Sequence, residues 1–160
     1  MIRITIVAVG KLKEKYWKDA ISEYSKRLAR YCSLNIIEVP DEPTPDNASD
    51  AMEDMIRFKE GKKILDKIPS GAYRIILDLE GRDVSSEELS NVLEVLPVRG
   101  QSHIAFVIGG SLGLSKEVLK EADMRLSFSR LTFPHQLMRV ILLEQIYRGF
   151  KIICGEPYHK

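Results

Sequence analysis

"HIAFVIGGSLGLS", His103–Ser115, is the stretch on which the fold turns. An apolar, β-branched run breaks at Gly109 and Gly110; Gly113 and Ser115 follow, and "KEVLKEA" continues as a short helix that Ser115 is placed to cap. A strand that ends in glycines and hands over to a helix is a building unit of parallel α/β sheets, and such junctions often hold phosphates. This one is spelled G-G-x-x-G. It matches neither the dinucleotide pattern G-x-G-x-x-G nor the P-loop, and no lysine follows its last glycine. An anion site is therefore weakly supported, and another occupant has to be sought.

Outward from this junction the chain alternates strand and helix. Ile2–Val9 reads as a first strand closed by Gly10. "KLKEKYWKDAISEYSKRLARY" sets Tyr16, Ala20, Ile21, Tyr24 and Leu28 at helical spacing, and Leu34–Val39 is a second strand. "PDEPTPDNASD" is an acidic loop, after which Asp46, Asn47 or Ser49 caps a helix running to about Ile68, with Gly61 as its weak point. "RIILDLEG" is a third strand ending at Gly81, and Ser85 or Ser86 caps a helix to about Leu96. "MRLSFS" is a fifth strand, and "PHQLMRVILLEQIYRGF" is a long helix with Pro134 in its first turn. The pattern predicts one α/β domain over residues 1–160, a largely parallel sheet covered by helices on both faces.

Composition narrows the class. Hydrophobic residues make up 44% and charged residues 29%, ordinary for a soluble globular protein. No run approaches the roughly 18 apolar residues of a membrane span, and the N-terminus does not read as a signal peptide. Cys32 and Cys154 lie far apart without CxxC spacing, so neither a metal centre nor a disulfide framework is expected, and a reduced, cytoplasmic protein is. The formal net charge of +1 hides two basic ends: residues 1–37 carry eight Lys/Arg against three Asp/Glu, and residues 125–160 six against two. Residues 38–60 carry two against eight. If the fold joins the ends, they make a positive face suited to a polyanion; otherwise the surface is merely mixed.

In open α/β sheets ligands sit beyond the carboxyl ends of the strands. Three such ends carry unusual loops: "LDLEGRD" after Ile76, "GGSLGLS" after Ile108 and "SRLTFPH" after Phe128. The last sets Phe128, Leu131 and Phe133 around two hydroxyl side chains and a proline. Such a segment either encloses a flat apolar heterocycle, addressing its edges through backbone groups, or simply packs beneath the long helix.

"LDLEG", "IGGSLGLS", "LSFSRLTFPHQLMRVILLEQIYR" and the terminal "PYHK" together resemble the RlmH-type branch of the SPOUT methyltransferases, over the whole chain. The resemblance implies an α/β knot, a deep C-terminal trefoil in a chain whose strand pattern alone would not suggest one. It implies a homodimer that uses S-adenosylmethionine to methylate N3 of a pseudouridine in large-subunit (23S) ribosomal RNA on the assembled ribosome. Carried over by position, Leu77, Gly109 and the run Phe128, Ser129, Arg130, Leu131, Thr132 and Phe133 are implied cofactor contacts, mostly through backbone. "SL" between Gly110 and Gly113 departs from relatives with a proline and an acidic residue there.

Methyl transfer from a sulfonium chiefly requires in-line alignment and exclusion of water, but an imide N–H is a poor nucleophile until deprotonated. His159 is the first candidate to assist, Tyr158 the second, and Arg139 a candidate to stabilise the developing anion or grip a phosphate. His135 is assigned a structural role at the helix start. Leu137, Met138, Val140, Ile141, Leu142, Leu143, Ile146, Tyr147 and Phe150 surround the long helix, which predicts burial on several sides and a second body against it. The family implies that this body is a second subunit, whose tail reaches its partner's pocket. Two rivals stand beside the methyltransferase: a nucleotide hydrolase, which lacks a P-loop lysine and a metal-binding carboxylate pair, and a non-enzymatic ribosome-associated RNA-binding module, for which the basic ends suffice.

Overall fold

A computed structural model describes residues 1–160. The elements run β1 (Ile2–Val9), α1 (Lys15–Leu28), β2 (Cys32–Val39), α2 (Asp50–Lys67), β3 (Tyr73–Asp83), α3 (Ser86–Val98), β4 (His103–Ile108), α4 (Lys116–Lys120), β5 (Met124–Ser127) and α5 (His135–Ile153). All five strands are parallel, in the order β2-β1-β4-β3-β5. The sheet is thus wholly parallel.

Alternation within the strands builds two cores. Ile4, Ile6, Ala8, Ile104, Phe106 and Ile108 face the layer that holds α5, with Leu142, Leu143, Ile146 and Phe150 packed against them. Val7, Val9, Ala105 and Val107 face the opposite layer, where Ile64 of α2 and Val118 of α4 cover them. Burial on both faces is why β1 and β4 read as unbroken apolar runs.

Several boundaries differ from the sequence reading, each for a local reason. The first helix spans the apolar positions Tyr16 to Leu28 but not the ends of the basic stretch around them, and begins without a side-chain cap. Ser49 is the residue that caps α2, accepting the Met52 N–H. Ser85 caps α3 in a reciprocal box with Glu88, each side chain taking the other's backbone N–H. Gly61 does not weaken α2; it is a contact point, since a Cβ there would lie 2.4 Å from Ser115 Oγ. Pro134 stands just before α5 as its N-cap residue. The third strand runs past Gly81 to Asp83, because a bulge lets Leu126 pair with both Leu77 and Arg82. Only glycine fits at 81, where a Cβ would stand 2.8 Å from the Arg125 and Leu126 backbone.

The apolar girth of α5 has a partial explanation within the chain. The helix lies between α1 and α3 and over β4, and Gly149 lets α3 come close enough for Ser90 Oγ to donate to the Gly149 carbonyl at 3.1 Å. Leu137, Val140, Ile141 and Glu144, at helical spacing, remain only half-buried. No helix is long and apolar enough to cross a membrane.

Candidate functional site

The carboxyl ends of β3, β4 and β5 converge on one cavity of about 590 Å³. Leu77, Asp78 and Leu79 come from the β3 bulge, Gly109, Gly110, Ser111 and Gly113 from the glycine loop, and Phe128, Ser129, Leu131, Thr132 and Phe133 from the loop after β5. The size and the mixed, half-apolar wall suit a small organic ligand. Seven of the eight expected cofactor contacts therefore share one cavity. Arg130 does not line it. Of the apolar residues around this loop, Phe128 packs against the core that α5 joins, while Leu131 is 70% exposed at the cavity wall.

Each loop is held by local bonds. The glycine loop closes as a turn, Gly113 N–H donating to the Gly110 carbonyl at 3.1 Å with a positive φ at Gly113. A Cβ on Gly109 would meet Leu114 Cγ at 2.9 Å, so bulk at this position would distort the cavity wall. Arg57 of α2 braces the loop from behind, donating to the Leu112 carbonyl at 3.2 Å. After β5, Ser129 Oγ accepts the Leu131 N–H at 2.9 Å and Ser127 Oγ donates to the Ser129 carbonyl. Asp78 is tied to Arg125, whose Nε donates to it at 2.8 Å.

Ser115, the cap of α4, connects this loop to Gly61. Alanine at an ordinary helix-interior glycine stabilises by roughly 1 kcal/mol. Gly61→Ala is expected to do the opposite, losing about 1–3 kcal/mol in urea unfolding because its methyl would displace Ser115 Oγ and crowd Val118 Cγ2 at 3.0 Å. Stabilisation by this substitution would show that the contact is slack.

Arg139 is not at the cavity wall. It is 2% exposed, with Nη1 bonded to Glu38 Oε2 at 2.7 Å and Nη2 to the carbonyls of Gly10 at 2.6 Å and Val9 at 3.3 Å. Its expected role on a substrate anion is thereby corrected to a structural one: the guanidinium pins the β1–α1 turn to α5. Glu38 also accepts the Leu12 N–H at 2.9 Å. Burial alone would push the Glu38 carboxyl up, but the bonds from Arg139 and Leu12 outweigh it and hold it below the ordinary carboxylate value.

His135 opens α5, in keeping with a structural role at the helix start, and it also faces the cavity. Its half-buried imidazole lines the cavity beside Pro134 and Met138. Burial, then the Arg139 charge, lower its pKa.

The tail is ordered, and it is not at its own cavity. Tyr158 packs edge-on against Tyr147 with ring centroids 5.0 Å apart, lies under Arg148, and donates its hydroxyl to Glu144 Oε1 at 2.9 Å. Burial and the Glu144 carboxylate push the Tyr158 phenol up to about 12, so at neutral pH it is a proton donor and no base. His159 stands between Arg148 Nη1, 3.1 Å from its Nδ1, and Glu87 Oε1, 2.7 Å from its Nε2. An arginine only donates, so Nδ1 accepts and the ring proton is assigned to Nε2. Along α5, Arg148 is about 20 Å from His135 by helix rise. Sequence reasoning missed Glu144, Arg148 and Glu87. The i,i+4 pair Glu144–Arg148 was its one visible signal. No cluster of His, Cys, Asp or Glu of the kind that holds a metal ion is present.

Comparison with known proteins places these features. Residues 2–159 match the family described as "Predicted SPOUT methyltransferase". The chain is 64% identical over 159 residues to ribosomal RNA large subunit methyltransferase H of Clostridium novyi, covering 99% of this chain and 100% of the relative. Identity is 62% over the same span to the proteins of that name in Clostridium kluyveri and Alkaliphilus oremlandii. A solved structure, a probable methylase family protein from Haemophilus influenzae Rd KW20, superposes with a TM-score of 0.53 at 12% identity, covering 99% of this chain and 70% of that one. That last likeness is one of fold.

Proposed function

The chain belongs to the SPOUT methyltransferase family, and from that premise we propose that it methylates N3 of a pseudouridine in large-subunit ribosomal RNA on the assembled ribosome, using S-adenosylmethionine. The observation that carries the reading is the convergence of the three loops on one cavity of matching size and lining. Bound there, the cofactor supplies an electrophilic methyl group on a sulfonium. The residues present fit it. Leu77, Leu131 and Phe133 offer apolar surface, and Gly109, Gly110 and Gly113 line the wall without side chains. Membership also carries the expectation of a deep C-terminal trefoil knot, formed where the segment after β5 returns through the cavity loops.

The chain's own part is alignment, exclusion of water and management of one proton. His159 is the group we assign to the imide proton: with Nδ1 as acceptor it has the form a base needs, once released from Arg148. Arg148 then becomes the nearest positive charge to a developing base anion. Tyr158 orients the pair through Glu144, and the buried Arg139 acts through the turn it holds. Tyr158 and His159 sit far from the cavity of their own subunit, so a complete site needs a partner. We assign it to a homodimer in which the half-buried stripe Leu137, Val140, Ile141 and Glu144 meets its copy and one tail serves the other cavity. The proposed setting is the bacterial cytoplasm, where assembled ribosomes are.

Two measurements test this. In calorimetry the protein should bind S-adenosylmethionine at micromolar concentration and ATP not at all; binding of ATP alone would favour a hydrolase, and binding of neither a non-enzymatic RNA-binding module. Ribosomal RNA from cells lacking the protein should be short of one methyl group on a pseudouridine by mass spectrometry. With a net charge of only +1, affinity for naked rRNA fragments is expected to be weak and steeply salt-dependent. Tight, salt-insensitive binding to a short oligonucleotide would contradict the dependence on an assembled target.

A further inference from the structure

We propose that His135 is the residue by which the cavity recognises the amino-acid end of its ligand, its imidazole hydrogen-bonding the carboxylate of the methyl donor. The inference rests on the methyl-donor reading above and extends it to a position with no assigned role.

Two titratable side chains line the cavity, Asp78 and His135. Asp78 is already engaged by Arg125. His135 is the opposite case: none of the side-chain hydrogen bonds of the protein involves its ring, and its electrostatic environment consists of Arg139 and Asp41 acting at a distance. One edge of the ring abuts the β1–α1 turn, where a Cβ on Gly10 would stand 3.3 Å from Nε2. A polar ring left without a partner in a cavity wall is poised for a ligand atom.

Charge decides which atom. Beside His135 lies the buried guanidinium of Arg139, one turn along α5, whose Nε has no partner. Asp41 of the β2–α2 loop faces the ring with the opposite sign, and Glu38 of β2 is taken up by Arg139. The first turn of α5 contains no acidic residue and no side-chain cap. The ligand's sulfonium and ammonium are repelled by the guanidinium, and its adenine and ribose are uncharged at neutral pH. Arg139 acts on the ring more strongly than Asp41 does, so the ligand's carboxylate is favoured there over its ammonium and sulfonium.

Binding a carboxylate beside a neutral imidazole favours the charged ring, so binding takes up a proton. Affinity for a ligand with the carboxylate should therefore weaken as pH rises through the range of histidine, about 6 to 8. A ligand without it should show no such slope.

The test uses S-adenosylhomocysteine, which has the amino-acid end, and 5′-methylthioadenosine, which lacks it. By calorimetry on the intact protein, His135→Ala is expected to weaken S-adenosylhomocysteine about tenfold or more, to flatten its pH dependence, and to leave methylthioadenosine unchanged. His135→Gln, which keeps a donor, should recover part of the affinity without the pH slope. Methylthioadenosine is the internal control for folding. Equal losses for both ligands would overturn the inference in favour of a packing role, as would unchanged binding of both. If the unaltered protein bound neither compound, the methyl-donor reading itself would fail and take the inference with it.

Discussion

Removal of Tyr158, His159 and Lys160 is expected to lower methyl transfer by about 10²–10⁴-fold, the usual worth of positioned acid–base groups, while leaving affinity for S-adenosylmethionine within about twofold of the intact protein. The separation follows from geometry. The tail is bonded to Glu87, Glu144 and Arg148, the last two about 9–15 Å along α5 from Met138 at the wall of its own cavity, and its proposed work is on the substrate proton and not on the cofactor. Single-turnover rates on ribosomal subunits and calorimetry read the two quantities independently. A sharper form mixes two defective proteins, the truncated one and Gly109→Val, whose side chain would press on Leu114 and the glycine loop. If tails serve the opposite cavity, each mixed dimer holds one intact site, and an equimolar mixture returns toward about a quarter of the parent activity. Activity that stays absent in mixed dimers would end the shared-site proposal, and a tail deletion that costs cofactor affinity instead of rate would end the assignment of the substrate proton to His159.

The second large effect is on stability. Arg139→Met is expected to cost about 1–3 kcal/mol in urea unfolding, because it takes the donors from the Gly10 and Val9 carbonyls and the ion-pair partner from Glu38, whose side chain is 38% exposed. The double variant Arg139→Met with Glu38→Gln should cost little more than Arg139→Met alone, since the exposed Glu38 is solvated once unpaired. Acid should reproduce the effect gradually. Glu38 has a folded pKa below its unfolded one, so its contribution is complete above the ordinary carboxylate value and fades as pH falls through the depressed value. Glu38→Gln should accordingly flatten the acid limb of stability. A single variant that unfolds at the same urea concentration as the parent would show that the pin carries no weight.

Much of the architecture could be read from residue spacing because each signal was local. Gly109 and Gly110 ending an apolar run, Ser115 before a helix and the apolar pattern of α5 all act within a few residues. The three loops could be grouped without coordinates, since every parallel strand delivers its following loop to the same edge. Their specific identity as a methyl-donor site came from resemblance, not from spacing. What escaped was decided by contacts distant in sequence. Arg139 read as a free cation because its acceptors, Glu38 and Gly10, lie about a hundred or more positions away. The partners of His159 were invisible because Glu87 comes from another layer of the chain. The bulge of β3 was invisible because only pairing with β5 reveals that Leu77 and Arg82 share one neighbour.

The strand order has a consequence for how the chain is born. β4 occupies the slot between β1 and β3, and no other strand bridges them. Until residue 108 has left the ribosome, the nascent polypeptide holds β1–β2 and β3 as unconnected fragments, with one margin of β1 bare and adhesive. Every lateral bond of the sheet spans a long loop, so refolding should be slow for so small a domain, with collapse well ahead of the final closing step.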